Sequence, residues 1–247
     1  MDLHALAIAF GVYVLAGTIK GTAGIGLPTV AISLLSQFFD PRLAISLALV
    51  PIIATNAWQV YRAGRFLETL RRFAPFLVCL VLFVYVSAQF AHGISVRALV
   101  LFMGSMVILF TLVNLLFEPP ALPDEWDTPA QVVTGTAAGF MGGITAIWSP
   151  PVMIFLLARR TPKDAFVRAS GVIIAVGGIP LIISYWQAGL FGGETAIVSC
   201  LMVMPAVVGF FVGERLRSRL DTKRFHTVVL IIFLFLGLNL IRRGLSL

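Results

Sequence analysis

Charge is scarce in this chain. Asp, Glu, Lys and Arg together make up 12% of its 247 residues, about half the share found in an ordinary soluble domain. Set against 59% hydrophobic residues and a mean hydropathy of +1.00, this shortage excludes a soluble globule, and the same apolar content excludes a disordered chain. Cysteine is nearly missing. Cys79 and Cys200 each lie inside an apolar stretch with no CxxC spacing, so neither a disulfide framework nor a thiolate metal site is indicated. His4, His92 and His226 are far apart, near the ends of apolar runs, and no metal or other cofactor is expected. There is no Ser–His or Cys–His pairing, no HExxH and no pair of intramembrane carboxylates, so an enzyme is not expected either. The opening Met1-Asp2-Leu3-His4 lacks the basic start of a signal peptide, and the first apolar run is expected to be retained.

What is present is a series of apolar runs. Six have the length of a membrane helix, about 20 residues for a core of ~30 Å: 41–61, 73–91, 96–117, 164–186, 195–214 and 224–242. Two more, 4–38 and 129–158, are interrupted. The first contains Lys20-Gly21-Thr22-Ala23-Gly24-Ile25-Gly26-Leu27-Pro28, the second Gly142-Gly143-Ile144-Thr145-Ala146-Ile147-Trp148-Ser149-Pro150-Pro151. Glycine weakens a helix and proline breaks its interior, yet proline suits the first turn of a new helix. Each run therefore reads as a helix, a break, and a helix restarting at Pro28 or Pro150. At ~1.5 Å per residue the arms 4–19 and 28–38 are about 24 and 17 Å long, too short to cross singly, which predicts a re-entrant hairpin.

The two broken runs are copies. With a constant offset of 122, Ala16–Leu35 matches Ala138–Leu157 at nine of twenty positions, among them Gly17/Gly139, Gly21/Gly143 and Pro28/Pro150. The chain is thus expected to be an all-α integral membrane protein built as a tandem repeat. An N-terminal unit, 1–117 (hairpin 4–38 and three spans), is followed by an acidic, Pro-rich linker, 118–128. A C-terminal unit, 129–247 (hairpin 129–158 and three spans), completes it.

Basic residues set the expected topology. The formal net charge is +7, a surplus that would suggest nucleic acid if the chain were soluble. Here the cations cluster in short connections: Arg62, Arg65, Arg71 and Arg72; Arg159, Arg160, Lys163 and Arg168; Arg215, Arg217, Arg219, Lys223 and Arg224. The expected partner is the lipid bilayer rather than nucleic acid, with all three connections and the linker cytoplasmic. That holds only if the second broken run makes no net crossing. Both termini then fall on the periplasmic side of a bacterial-type inner membrane, although Arg242 and Arg243 run against the rule. Three crossings per half make the halves inverted relative to each other, a recurring transporter plan. The sequence leaves the oligomeric state open.

Irregular backbone inside a membrane belongs around a cavity or within protein, and a helix start presents free N–H groups and a positive dipole end. The breaks therefore predict an anion site between Gly24–Thr29 and Trp148–Val152. Thr22, Thr145 and Ser149 add hydroxyls there. Gly24 and Gly26 allow close approach of backbone, and Trp148, standing where the other half has Gly26, adds an indole N–H. Asn56 and Gln59 are amides within the span 41–61, facing a cavity or bonding a neighbouring helix. Lys20 is a cation too deep for a loop. Arg168 is either a membrane-surface anchor or a guanidinium fork for a sulfonate or carboxylate.

The stretch from Gly17 to Pro28, its repeat Gly139-Phe140-Met141-Gly142-Gly143 through Ser149-Pro150-Pro151, and the C-terminal Pro205–Gly209, Gly213-Glu214-Arg215-Leu216 and Gly237 resemble the signatures of the TauE/SafE sulfite exporter family, also called the toluene sulfonate uptake permease family. The resemblance covers the whole chain. It implies a secondary transporter, an exporter of small sulfur-containing anions: sulfite, thiosulfate or organosulfonates such as sulfoacetate. Trp148 departs from the small residue carried by many members, and points to an organic anion. An anion channel, or a carrier of another small organic anion such as a carboxylate, fits the same scaffold.

Overall fold

The computed structural model describes residues 2–116, 119–217 and 222–247. Met1, Phe117, Glu118 and residues 218–221 lie outside the described residues, and so therefore does Arg219 of the third basic connection. The side chains of Arg217, Lys223, Arg224 and His226 also lie outside the description. The described chain forms twelve α-helices: α1 (Leu3–Ala23), α2 (Leu27–Phe38), α3 (Pro41–Ala63), α4 (Phe66–Arg72), α5 (Ala74–Ala91), α6 (Val96–Leu116), α7 (Asp127–Thr145), α8 (Ser149–Ala158), α9 (Lys163–Gln187), α10 (Gly193–Leu201), α11 (Val203–Arg217) and α12 (Thr222–Ser246). Helix starts follow local chemistry. Asp2 accepts from the Ala5 N–H at 2.8 Å, and Asp40 from the Arg42 N–H at 2.8 Å, with Pro41 opening α3.

Among the described residues, six helical stretches are long and apolar enough to cross a membrane: α1, α3, α5, α6, α9 and the run Gly193–Leu216 through α10 and α11. Five of these coincide with expected spans, and α12 contains the expected span 224–242. The difference lies in α1. The helix does not stop at Ile19 but continues through Lys20-Gly21-Thr22-Ala23. Its 21 residues extend about 31 Å, so the length argument against a crossing fails for this arm. The extension is possible because Gly21 lets α1 lie directly on α11. A Cβ at residue 21 would overlap the Phe210 carbonyl and stand 2.8 Å from the Glu214 N.

Glycines define how the helices run. Gly17 meets Ala206 and Phe210, Gly21 meets Phe210 and Glu214, and from α11 Gly209 and Gly213 meet Val14 and Thr18. Rising numbers face rising numbers, so α1 and α11 are parallel. Gly135, Gly139 and Gly143 meet Phe76, Leu80 with Val84, and Val84 with Ala88 in turn, so α7 is parallel to α5. By contrast Gly171 packs on Gln59 and Val60 while Gly178 packs on Ile52 and Ile53, which makes α3 and α9 antiparallel. Gly104 on Gly237 and Gly244 on Leu101 make α6 and α12 antiparallel as well. Such small-residue seams are the usual means of bringing membrane helices together, since lipid supplies no hydrophobic drive.

Pro51 stands inside α3 and cannot donate to the carbonyl four residues back, that of Leu47. Ser199 of α10 supplies the missing donor: its hydroxyl bonds the Leu47 carbonyl at 3.0 Å and accepts from the Val50 N–H at 3.2 Å.

Candidate functional site

The breaks are built from the same backbone device. At Gly24 (φ +82°) the chain enters the left-handed region and its N–H closes α1 on the Lys20 carbonyl at 2.7 Å. At the equivalent Ala146 (φ +56°) the N–H closes α7 on Gly142, also at 2.7 Å. An alanine there is strained. The Thr145 hydroxyl helps hold the turn by accepting from the Ile147 N–H at 3.1 Å. Gly26, at φ +111°, then starts α2, whereas Trp148, at φ −96°, starts α8.

The two new helices meet at their first turns. The Thr29 hydroxyl donates to that of Ser149 at 3.2 Å, and both residues are buried. Proline removes donors from these turns. In α2, Leu27 and Thr29 keep first-turn N–H groups on either side of Pro28; in α8, Pro150 and Pro151 leave Ser149 alone. The two first turns thus keep three N–H groups, two of them in α2, beside the paired hydroxyls.

A cavity of about 580 Å³ opens beside the first break. Lys20, Gly21, Gly24, Gln59, Arg62, Ala63, Arg65, Asp164, Val167, Arg168, Phe210 and Glu214 line it. Four cations face two carboxylates. Lys20 lies at its inner wall, 1% exposed, with its ammonium 2.5 Å from the Asn56 amide oxygen. Asn56 is itself fixed by donating to the Ile52 carbonyl at 2.7 Å. Gln59 donates to the Val167 carbonyl at 2.5 Å, which leaves its own amide oxygen buried without a partner. At the rim Arg62 and Glu214 pair at 2.6 Å, joining α3 to α11.

Arg168 stands between this cavity and a second one of about 280 Å³, lined among others by Thr69, Arg72, Arg159 and Thr161. Its Nε donates to the Thr69 hydroxyl at 3.2 Å. Arg72 pairs with Asp127 at 2.6 Å, and Arg159 with Asp127 at 3.1 Å and Asp124 at 2.8 Å. The hydrogen bond from Arg72 is the main reason the Asp127 carboxyl is held below the usual carboxylate range, against the opposing effect of burial. At the far end of the molecule His92 sits 2.9 Å from the Ser184 hydroxyl, and Arg42 donates to the carbonyls of His92 and Ile94. Burial, and then the charge of Arg42, pushes the His92 imidazole below its ordinary value.

Of the residues expected at a site, Lys20, Gly24, Gln59 and Arg168 share the large cavity, and Asn56 reaches it through Lys20. Ser149 joins Thr29 at the helix starts. Thr22 spends its hydroxyl on the Thr18 and Ile19 carbonyls, and Thr145 donates its own to Met141. Pro150 lines a separate, apolar cavity of about 230 Å³ with Leu109, Phe110 and Met141. Trp148 is wholly buried, and its indole N–H has no partner. Gly26 and Pro28 shape the break and line none of these three cavities. Sequence reasoning had Thr29 at the edge of the first break without its hydroxyl contact, took Arg62 and Arg65 as topology markers alone, and gave Asp164 and Glu214 no place beside a site. The spacing of Gln59 with Arg62 and Ala63, three and four residues apart on one helix face, was the available signal for Arg62.

The family model described as Sulfite exporter TauE/SafE matches residues 9–240. Comparison with curated proteins and with solved structures returned no match.

Proposed function

The chain belongs to the TauE/SafE sulfite exporter family, which makes it a multi-pass membrane transporter of exporter type, and from that premise we propose that it carries sulfite or a small organosulfonate such as sulfoacetate by alternating access. The carrying observation is the 580 Å³ cavity, rich in cations and bounded at its inner wall by the buried Lys20 and the break at Gly24. In this reading Lys20 supplies the charge that draws the anion in, held in place by Asn56. Arg168 offers a fork to two anion oxygens, and the free Gln59 oxygen accepts from water that accompanies the anion. Deeper in, the hydroxyls and N–H groups of Thr29 and Ser149 take over as the helix starts part.

The halves 1–117 and 129–247 act as inverted repeats that rock about this site, with α1–α2 and α7–α8 as re-entrant hairpins. This is supported by the antiparallel packing of α3 on α9 and of α6 on α12. A twofold relating equivalent helices that run antiparallel lies across them, in the plane of the membrane. The basic rim of the cavity supports an opening toward the cytoplasm, with 118–128 on that side and both termini periplasmic in a bacterial-type inner membrane.

The test is counterflow of labelled sulfite and sulfoacetate in proteoliposomes, preceded by a thermal-shift screen that includes taurine, isethionate and matching carboxylates. Anion-specific stabilisation and trans-stimulated uptake are expected. Trp148→Ala and Pro150→Gly should lower transport while the protein still inserts. Absence of counterflow with every anion in the panel overturns the reading. Flux without trans-stimulation identifies a channel, and a response to carboxylates alone identifies another substrate class.

A further inference from the structure

The two breaks differ in one exchange. The first half has lysine at 20 and glycine at 26. At the equivalent positions the second half has glycine at 142 and tryptophan at 148. Each break thus carries one bulky N–H donor and one glycine, with their places swapped. The swap is physical as well as formal. The Trp148 indole fills the space over Gly142 that a side chain would need: a Cβ at 142 would overlap Nε1 and lie 2.7 Å from Cε2. On its other side Nε1 lies 3.2 Å from where a Cβ would stand on Gly177. Wedged between α7 and α9, the ring is 0% exposed and its N–H bonds nothing. A buried donor without an acceptor is rare and calls for an explanation. The elements around the two donors also lead to opposite ends of the molecule. Lys20 faces the cavity rimmed by Arg62 and Glu214. The helix that carries Gly177 continues to Ser184, where His92 ties it to the end of α5.

We propose that the indole N–H of Trp148 is the anion donor of the opposite access state, the counterpart of the Lys20 ammonium, and that it takes a sulfonate or sulfite oxygen when the His92–Ser184 end opens. The inference rests on the carrier reading given above. It adds a direction. An ammonium attracts an anion by its own full charge as well as by hydrogen bonding, whereas an uncharged indole N–H offers a single bond in which only the acceptor is ionised. The anion is therefore held tightly at the Lys20 face and loosely at the Trp148 face, which suits loading on the first and release on the second.

Half-saturation is measured from each face of protein reconstituted in one orientation, with labelled sulfoacetate in counterflow. Wild type is expected to saturate at lower concentration from the Lys20 face. Trp148→Phe keeps the ring and removes the N–H, and should raise the Trp148-face value about tenfold. Lys20→Gln should raise the Lys20-face value, so the two variants move the ratio of the two constants in opposite directions. Movement in the same direction, or a ratio unmoved by Trp148→Phe, overturns the proposal. A second measurement does not depend on that variant. Trp58, Trp126 and Trp186 are all exposed and can be replaced by Phe, leaving Trp148 as the single tryptophan, excited selectively at wavelengths where tyrosine does not absorb. Saturating sulfoacetate should then shift its emission, and an unshifted spectrum overturns the assignment. If wild type shows no counterflow from either face, the carrier reading itself fails, a result distinct from both.

Discussion

Replacing Gly21 by alanine tests the seam that positions the first break. The added Cβ would overlap the Phe210 carbonyl oxygen, stand 2.8 Å from the Glu214 N and 3.0 Å from the Gly213 Cα. All three are backbone, so no side chain can turn aside, and α1 and α11 must separate by about an ångström to reach ordinary contact. Overpacking of this kind costs roughly 1–3 kcal/mol, which for a chain of this size corresponds to a melting temperature lower by about 2–12 °C. Gly143→Ala meets the same obstruction on α5, from the Ser87 hydroxyl, the Val84 carbonyl and, at 3.0 Å, the Ala88 N. Gly11→Ala is the control: it has open space around it, and better helix propensity gives a gain of about 0.5–1 kcal/mol. Thermal unfolding in detergent, followed by size-exclusion of the surviving protein, reads all three. Transport should fall with Gly21→Ala, because Lys20 and Gly24 move with the seam. A Gly21→Ala protein as stable as Gly11→Ala would refute the packing argument.

Other outcomes follow from the same geometry. Glu214→Gln should tighten anion binding by about 1 kcal/mol, roughly fivefold, and Arg62→Gln should weaken it by a similar factor; both are read by half-saturation at the cavity face. Neither should shift the melting temperature much, since the pair is exposed, at 51% and 33%. Asp127→Asn should destabilise the protein at neutral pH. The Asp127 carboxyl titrates lower in the folded protein, so its contribution is present above the unfolded value near 3.9 and is lost as pH falls through the folded value. Melting curves of wild type and variant should therefore converge on acidification. Ser199→Ala strands the Leu47 carbonyl beside Pro51 and should cost about 1 kcal/mol, measured by thermal unfolding.

Much of this architecture was legible because membrane helices announce themselves locally. Apolar runs of fixed length marked the spans, and Gly and Pro marked the two breaks to within a few residues. The 122-residue offset could be read because Gly17, Gly21 and Pro28 recur as Gly139, Gly143 and Pro150. The end of α1 was misjudged for a physical reason. Glycines at 21 and 24 look alike in sequence, but only Gly24 turns the chain, whereas Gly21 stays helical because α11 covers it. The hydroxyls at the breaks were equally ambiguous. Thr22 and Ser149 are both candidates by position, yet Thr22 bonds its own helix and Ser149 meets Thr29.

Composition and local pattern, taken alone, determine that this chain lies in a bilayer, that the segment 16–35 recurs as 138–157, and that each occurrence is interrupted at Gly and Pro. These properties are local: transfer of apolar residues into lipid, and backbone conformations open to particular residue types. The tertiary structure decided which of the polar residues share a space. Lys20 and Asn56 are 36 positions apart, Gln59 and Val167 are 108 apart, and Thr29 and Ser149 are 120 apart. Their meeting depends on which helix faces pack, and those faces are chosen by glycine seams between the two halves, information that no single segment carries.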